Sequence, residues 1–119
     1  MALITTTRRI GGVTVVDCAG RIVLGEESKA LRTLVNDLLS QAGQIVLDLG
    51  DVTYIDSSGL GTLVGLYTSA QQAGGNIRLA RLNSRIIELL QTTRLLTVFE
   101  THDTAEKAAA AFTKAAGAG

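Results

Sequence analysis

The chain has 119 residues with no net formal charge, and 46% of them are apolar but only 3% aromatic. This length fits one domain with a core of aliphatic side chains. The balanced charge excludes the basic surface typical of nucleic-acid or anionic-membrane binding, and the scarcity of aromatic residues argues against a base-stacking platform.

Targeting, membrane and disulfide signals are also missing. The stretch MALITTTRR has no long apolar segment after its charges, unlike a signal peptide. No run approaches the ~20 apolar residues that span a bilayer. The single cysteine, Cys18, cannot form an internal disulfide, and its apolar surroundings predict a buried, unreactive thiol. We expect a cytoplasmic protein without membrane insertion.

Residue spacing and turn residues predict an ordered series of strands and helices. The elements, in chain order, are strands over 3–10 and 13–19, a short strand from Gly20 to Gly25, a helix from Glu26 to about Gly43, a strand over 44–50, a helix from Ser58 to about Ala73, a strand over 76–82, a helix from Ser84, a strand around Val98 and Phe99, and a terminal helix capped by Asp103 or Thr104.

This order predicts one α/β domain built on a mixed sheet. Gly11 and Gly12 link the first two strands as a tight hairpin would. The later strands alternate with helices, which requires largely parallel pairing with right-handed crossovers.

The common catalytic templates are not met. A nucleophilic serine needs a general base, but the only histidine, His102, is far along the chain. We expect His102 to be a surface or helix-capping residue. Around Ser57 the sequence IDSSG lacks the first glycine of Gly-x-Ser-x-Gly. No phosphate loop is present, and Gly59-x-Gly61 is a weak dinucleotide match. We therefore expect no catalytic residues, metal or cofactor.

The stretch YIDSSGLGTLVG, 54–65, predicts a bare helix start that follows a buried strand. Asp56 or Ser57 can cap the first amides of that helix. Each glycine costs a helix about 1 kcal/mol relative to alanine. The absence of Cβ at Gly59 and Gly61 therefore suggests backbone left open to an external molecule, whereas Gly65 is expected to pack against the sheet.

The segment VLDLGDVTYIDSSGLGTLVGLY is similar to the signature of the STAS-domain anti-sigma factor antagonists. The similarity extends through GRIVLGEESKALR and GGNIRLARLNSRIIELLQTTRLLTVFETHDTAEKAAAAF, roughly residues 4–112. It implies a STAS-like single domain over residues 1–119, with a mixed sheet carrying packed helices and a frayed tail over 115–119.

In the family that this chain resembles, the first serine of the D-S-S-G turn is phosphorylated by an anti-sigma factor that is an ATP-dependent serine kinase. The resemblance assigns that role to Ser57. Asp56 would shape the turn, and the kinase-facing surface would include four further residues: Ser58, Gly59, Leu60 and Gly61.

The family's glycine turn corresponds to Gly20, Arg21 and Ile22, which the resemblance implies contribute to partner binding. An aspartate commonly follows in the family, but this chain has Val23. Glu26 or Glu27 could supply the missing acid.

The leading hypothesis is therefore a binding module whose unmodified form binds the kinase and frees a sigma factor. We expect no nucleic-acid partner, and a monomer or weak dimer. The alternative is a phosphorylation-independent scaffold in a stress-signalling assembly or transporter complex. A small-molecule binder or hydrolase is the weakest of the three hypotheses.

Overall fold

A computed structural model describes the backbone of residues 3–41 and 43–118, and side chains as far as Phe112. Within these residues the elements are β1 Leu3–Ile10, β2 Val13–Ile22, α1 Glu26–Gln41, β3 Gln44–Ile55, α2 Ser57–Gln72, β4 Asn76–Ala80, α3 Ser84–Thr92, β5 Glu100–His102 and α4 Ala105–Ala118. In the described part of the chain, no helix combines the length and apolar character needed to cross a bilayer.

The strands form one mixed sheet in the order β1-β2-β3-β4-β5. β1 and β2 are an antiparallel hairpin, and every later pairing is parallel. A helix joins each parallel strand to the next, because parallel neighbours need a long crossover connection. The predicted single α/β domain with a mixed sheet is confirmed.

Helices cover the two faces of the sheet unequally. α1, α2 and α3 cover one face and form the larger core with the strands; its fully buried members include Leu31, Ile45, Leu47, Leu63, Leu79, Ile86 and Leu90. α4 covers part of the opposite face, where a smaller core contains Val13, Val15, Val46, Ala80, Ala108 and Phe112.

That second face also carries ion pairs that involve its strands. Arg8 Nε lies 2.7 Å from Asp17 Oδ2, and Arg81 Nε lies 2.8 Å from Asp48 Oδ1. Asp48 is only 2% exposed, and the Gly50 amide also donates to it at 3.0 Å. These bonds satisfy a carboxylate that would be costly to bury alone. Arg8 Nη1 also lies 3.7 Å from Glu106 Oε2 of α4, so polar contacts connect the strands to one another and to the start of that helix.

Two strands are longer than the sequence predicts. β2 continues through Gly20, whose φ of 113° is accessible to glycine, and ends at Ile22 without a further strand to Gly25. β3 extends from residue 50 to Ile55, because its later residues keep pairing with β2 across register shifts. This extension brings the end of β3 beside the end of β2.

The last strand lies slightly later than predicted. β5 is Glu100–His102, whereas the apolar pair Val98 and Phe99 suggested a strand around themselves. Phe99 is 5% exposed, and its ring meets Tyr67 edge-on with centroids 5.3 Å apart. Its apolar character reflects packing in the core just before the strand begins.

The capping alternative is wrong for His102, whereas the surface alternative holds in part, because the residue lies in the edge strand β5 and stays partly exposed. It lies in β5, partly buried, with Nε2 3.2 Å from Arg78 Nη1. Burial and then the Arg78 charge lower the pKa of His102. Thr104 caps α4 by accepting from the Lys107 amide at 3.0 Å, which selects it from the two predicted caps.

Cys18 is buried, as predicted, and is 2% exposed in the larger core. Burial raises the pKa of its thiol to about 12, so the thiol is protonated near neutral pH. At the other end of the chain, α4 is helical through Ala118, including residues 115–118 of the predicted frayed tail; Gly119 lies outside the described residues.

The glycines of α2 face different surroundings. A Cβ on buried Gly59 would overlap the carbonyl oxygen of Ile22 at the end of β2. A Cβ on exposed Gly61 or Gly65 would meet nothing within 4 Å. The expectation of open backbone therefore holds at Gly61 but is wrong at Gly59, which packs inward. The expected packing of Gly65 is also wrong, because it lies on the solvent side.

Gly59→Ala should destabilise the domain by about 1–3 kcal/mol, because the added methyl group must displace backbone rather than a flexible side chain. The matched variant Gly61→Ala should stabilise it by up to about 1 kcal/mol, since alanine favours an open helical position. Urea unfolding measures both changes. Equal stability of the two variants would contradict the close contact between Gly59 and Ile22.

Candidate functional site

The candidate site lies where β2 and β3 end side by side. Ile22 and Ile55, the last residues of these strands, are register partners. The loop that leads into α1 therefore meets the turn that leads into α2. Such crevices at the carboxyl ends of parallel strands commonly form binding sites in α/β proteins.

One carboxylate joins the loop to the turn. Asp56 is the N-cap of α2: its Oδ1 accepts from the Gly59 amide at 2.7 Å. Its Oδ2 accepts from the Leu24 amide at 3.1 Å, and its own amide donates to the Ile22 carbonyl at 3.3 Å. Asp56 is thus the cap, of the two candidates predicted, and it also fixes the neighbouring loop.

The charged form of Asp56 is favoured in this position. The amides of Gly59 and Leu24, in that order, hold the pKa of its carboxyl below the usual value, with smaller contributions from the Ser58 amide and the Arg21 charge. A carboxylate that accepts backbone hydrogen bonds resists protonation because the neutral acid accepts them less strongly.

Ser57 is the first residue of α2, and it is exposed. Among the hydrogen bonds of the described residues, none involves its hydroxyl group. Ser58 is partly buried, and its carbonyl accepts from Thr62 Oγ1 at 3.1 Å. Arg32 of α1 donates to the same Thr62 oxygen at 3.3 Å, which links the two helices beneath the turn. Ser57 therefore presents an available hydroxyl on a supported helix start.

The remaining turn residues do not all reach the surface. Gly61 is exposed, but Gly59 and Leu60 are buried, with Leu60 only 8% exposed. Their position follows from the helical period, which turns this side of α2 toward the sheet. Gly59 and Leu60 are thus buried, although the family resemblance assigned them to the kinase-facing surface.

The loop after β2 and the start of α1 carry the other predicted residues. Val23 is partly buried, and its carbonyl accepts from Ser28 Oγ at 2.6 Å. Glu26, which is exposed, and Glu27, which is partly buried, form the first turn of α1. Their carboxylates therefore lie near the helix end that favours negative charge.

The sequence did not predict two large exposed side chains at this end of the sheet. Leu24 is 75% exposed, and Tyr54 is 46% exposed with the guanidinium carbon of Arg21 5.6 Å from its ring centroid. The sequence assigned no role to either residue, since Tyr54 follows the predicted strand over 44–50 and Leu24 lies near the end of a short predicted strand. The only hint in the sequence is their position immediately beside turn residues.

Known proteins with similar sequences identify the family to which this chain belongs. The STAS domain model matches residues 5–108. The chain is 33% identical over 85 residues to the anti-sigma-B factor antagonist of Bacillus subtilis. The aligned region covers 71% of this chain and 77% of the relative.

Solved structures show the same fold. An anti-sigma factor antagonist from Mycobacterium paratuberculosis superposes with a TM-score of 0.78 at 21% identity, over 92% of this chain and 93% of that one. Bacillus SpoIIAA in its phosphorylated form gives a TM-score of 0.71 at 16% identity, over 92% of this chain and 99% of that one. At these identities the likeness shows the fold alone. With the family match and the Bacillus subtilis relative, it shows that the chain belongs to the STAS-domain family, in which its matched relatives are named anti-sigma factor antagonists.

Proposed function

We propose that this protein is an anti-sigma factor antagonist controlled by phosphorylation of Ser57. In the cytoplasm, its unmodified form binds an anti-sigma factor that is an ATP-dependent serine kinase, and a sigma factor is released. Phosphorylation of Ser57 abolishes that binding. The observation that carries the proposal is the exposed Ser57 hydroxyl at the first position of α2, directly after the cap.

The turn suits a phosphoacceptor because it is exposed and yet fixed. The two oxygens of Asp56 bond to separate backbone segments, through Gly59 at 2.7 Å and Leu24 at 3.1 Å. A kinase gains from an acceptor held in one geometry, since less ordering is needed to align the hydroxyl with the transferred phosphoryl group.

A phosphate on Ser57 leaves the domain folded. It adds about −1.5 to −2 charge at neutral pH. The start of α2 favours negative charge, because its first amides lack intrahelical partners and carry partial positive charge. The modification therefore acts on the complex rather than on the fold.

In the complex, the same phosphate is unfavourable. Gly61, one helical turn along from Ser57, is exposed and has no side chain, so a partner can approach the backbone closely. Burying a dianion there without a basic partner costs several kcal/mol. The adjacent carboxylate of Asp56 adds like-charge repulsion. A stable complex at this surface and a phosphorylated Ser57 therefore exclude one another.

Ser57→Asp should lower the affinity for the cognate kinase by about 100-fold or more, because it places a permanent charge in the contact. Ser57→Ala should bind like the wild type but remain unphosphorylated. Ser84→Asp is the matched control, since Ser84 is the exposed first residue of α3. Isothermal titration calorimetry measures binding, and mass spectrometry after incubation with kinase and ATP locates the phosphate.

Phosphate found on another residue would contradict the assignment of Ser57. Equal binding by the wild type, Ser57→Ala and Ser57→Asp would instead favour the phosphorylation-independent scaffold.

Asp56→Asn should lower the melting temperature at neutral pH, because asparagine has one acceptor oxygen for amides that two oxygens now bind. The native pKa of Asp56 is lowered, so its ionisation stabilises the fold fully above the unfolded value of about 3.9 and progressively less as the pH falls below it. The difference in melting temperature between the wild type and the variant should therefore narrow below about pH 4. A difference that is constant from neutral to acid pH would contradict the role of the charge.

A further inference from the structure

Exposed apolar side chains concentrate at the end of the sheet that carries Ser57. Among the described residues, four large apolar side chains are exposed, and three of them are Ile4 at 57%, Leu24 at 75% and Tyr54 at 46%. The fourth, Val98, is 37% exposed and lies in the segment before the opposite edge strand, β5. Single exposed apolar residues need no explanation, but a group of them marks an interaction surface.

Arg21 and Tyr54 share the face of the sheet opposite α1, α2 and α3. Their neighbours Ile22 and Ile55 belong to the core beneath those helices, and successive strand residues point to opposite faces. The distance of 5.6 Å from the Arg21 guanidinium carbon to the Tyr54 ring centroid agrees with this placement.

Ile4 lies on the same face. Leu3, its neighbour in β1, packs against the core beneath α1, α2 and α3, so Ile4 points the other way. Its register partner is Ala19, two residues before Arg21 on β2. The core under α4 lies at the other end of the strands, around Val13 and its neighbours, and so leaves this end uncovered.

We propose that a largely apolar patch at the end of the sheet forms part of the interface with the anti-sigma factor kinase. This sheet-end patch consists of Ile4, Arg21, Leu24 and Tyr54. The inference rests on the proposed function and extends its contact surface from the helix start across the end of the sheet. It adds Ile4, Leu24 and Tyr54 to the residues that the family resemblance assigns to binding.

The patch is continuous with the phosphorylation turn. The Leu24 amide donates to Asp56 Oδ2 at 3.1 Å, and Tyr54 precedes Asp56 by two residues. A partner that covers Ser57 therefore meets the loop that carries Leu24. To contact Tyr54 as well, it must extend past the end of β3 onto the face opposite α2. Because the Leu24 backbone is already fixed by this bond, its side chain can be buried with little further ordering of the loop.

The chemistry of the patch specifies the partner's surface. Aromatic residues and arginine often dominate binding energies at the centre of interfaces. Arg21 is exposed, and no carboxylate lies within 4.0 Å of its side-chain nitrogens among the described residues. The partner is therefore expected to present apolar side chains to Leu24 and Tyr54, and a carboxylate to Arg21.

The test is calorimetric titration of the purified cognate kinase into single variants of the unphosphorylated chain. Leu24→Ser and Tyr54→Ser should each weaken binding about tenfold or more, because they remove interface anchors. Arg21→Glu should weaken it similarly, whereas Arg21→Lys should retain part of the affinity. Val98→Ser is the matched control and should bind within about twofold of the wild type. Thermal unfolding confirms that each variant is folded before titration.

The outcomes separate this inference from the proposed function. Suppose that Leu24→Ser and Tyr54→Ser bind within about twofold of the wild type while Ser57→Asp does not bind. The patch then does not contact the kinase, and the control of binding by Ser57 is still supported. If the two variants alter only self-association in analytical ultracentrifugation, the patch contacts a second copy and the inference is wrong. If the kinase does not bind the wild type, the proposed function fails and the inference fails with it.

Discussion

The arrangement of the site depends on the two hydrogen bonds that the Asp56 carboxylate accepts, from Gly59 and from Leu24. The first caps α2, and the second fixes the loop before α1 against it. Without this bridge, the ends of β2 and β3 would still lie side by side, but the Leu24 loop would lose its hydrogen bond to the turn that starts α2. The buried Gly59 makes the bridge possible, because any side chain there would push α2 away from Ile22.

Under the proposed function, an exposed hydroxyl on a hydrogen-bonded turn would let one small group control binding. The helix start favours a phosphate when it faces water, whereas the complex would have to bury the same charge. The switch therefore requires no change of fold. In the proposed interface, the exposed apolar side chains of Leu24 and Tyr54 would add affinity that the turn around Ser57 alone would lack.

Local patterns in the sequence predicted the element order, the mixed sheet and a cap at Asp56 or Ser57, because spacing and capping preferences act between near neighbours; the structure selects Asp56. They misplaced β5, because Phe99 is apolar through its packing against Tyr67 rather than through strand pairing. They also missed the inward packing of Gly59 and the exposure of Tyr54. Both depend on the pairing of β2 with β3, which includes register shifts. Such pairing joins distant parts of the chain, so no local sequence pattern predicts it.

The central claim is that the kinase-bound and Ser57-phosphorylated forms exclude one another. Native mass spectrometry of a reaction containing the chain, its cognate kinase and ATP resolves free and bound chain, each with or without phosphate. The account predicts that phosphate on Ser57 accumulates only in the free chain, while the complex holds only unmodified chain. Persistent complexes that contain Ser57-phosphorylated chain would contradict it.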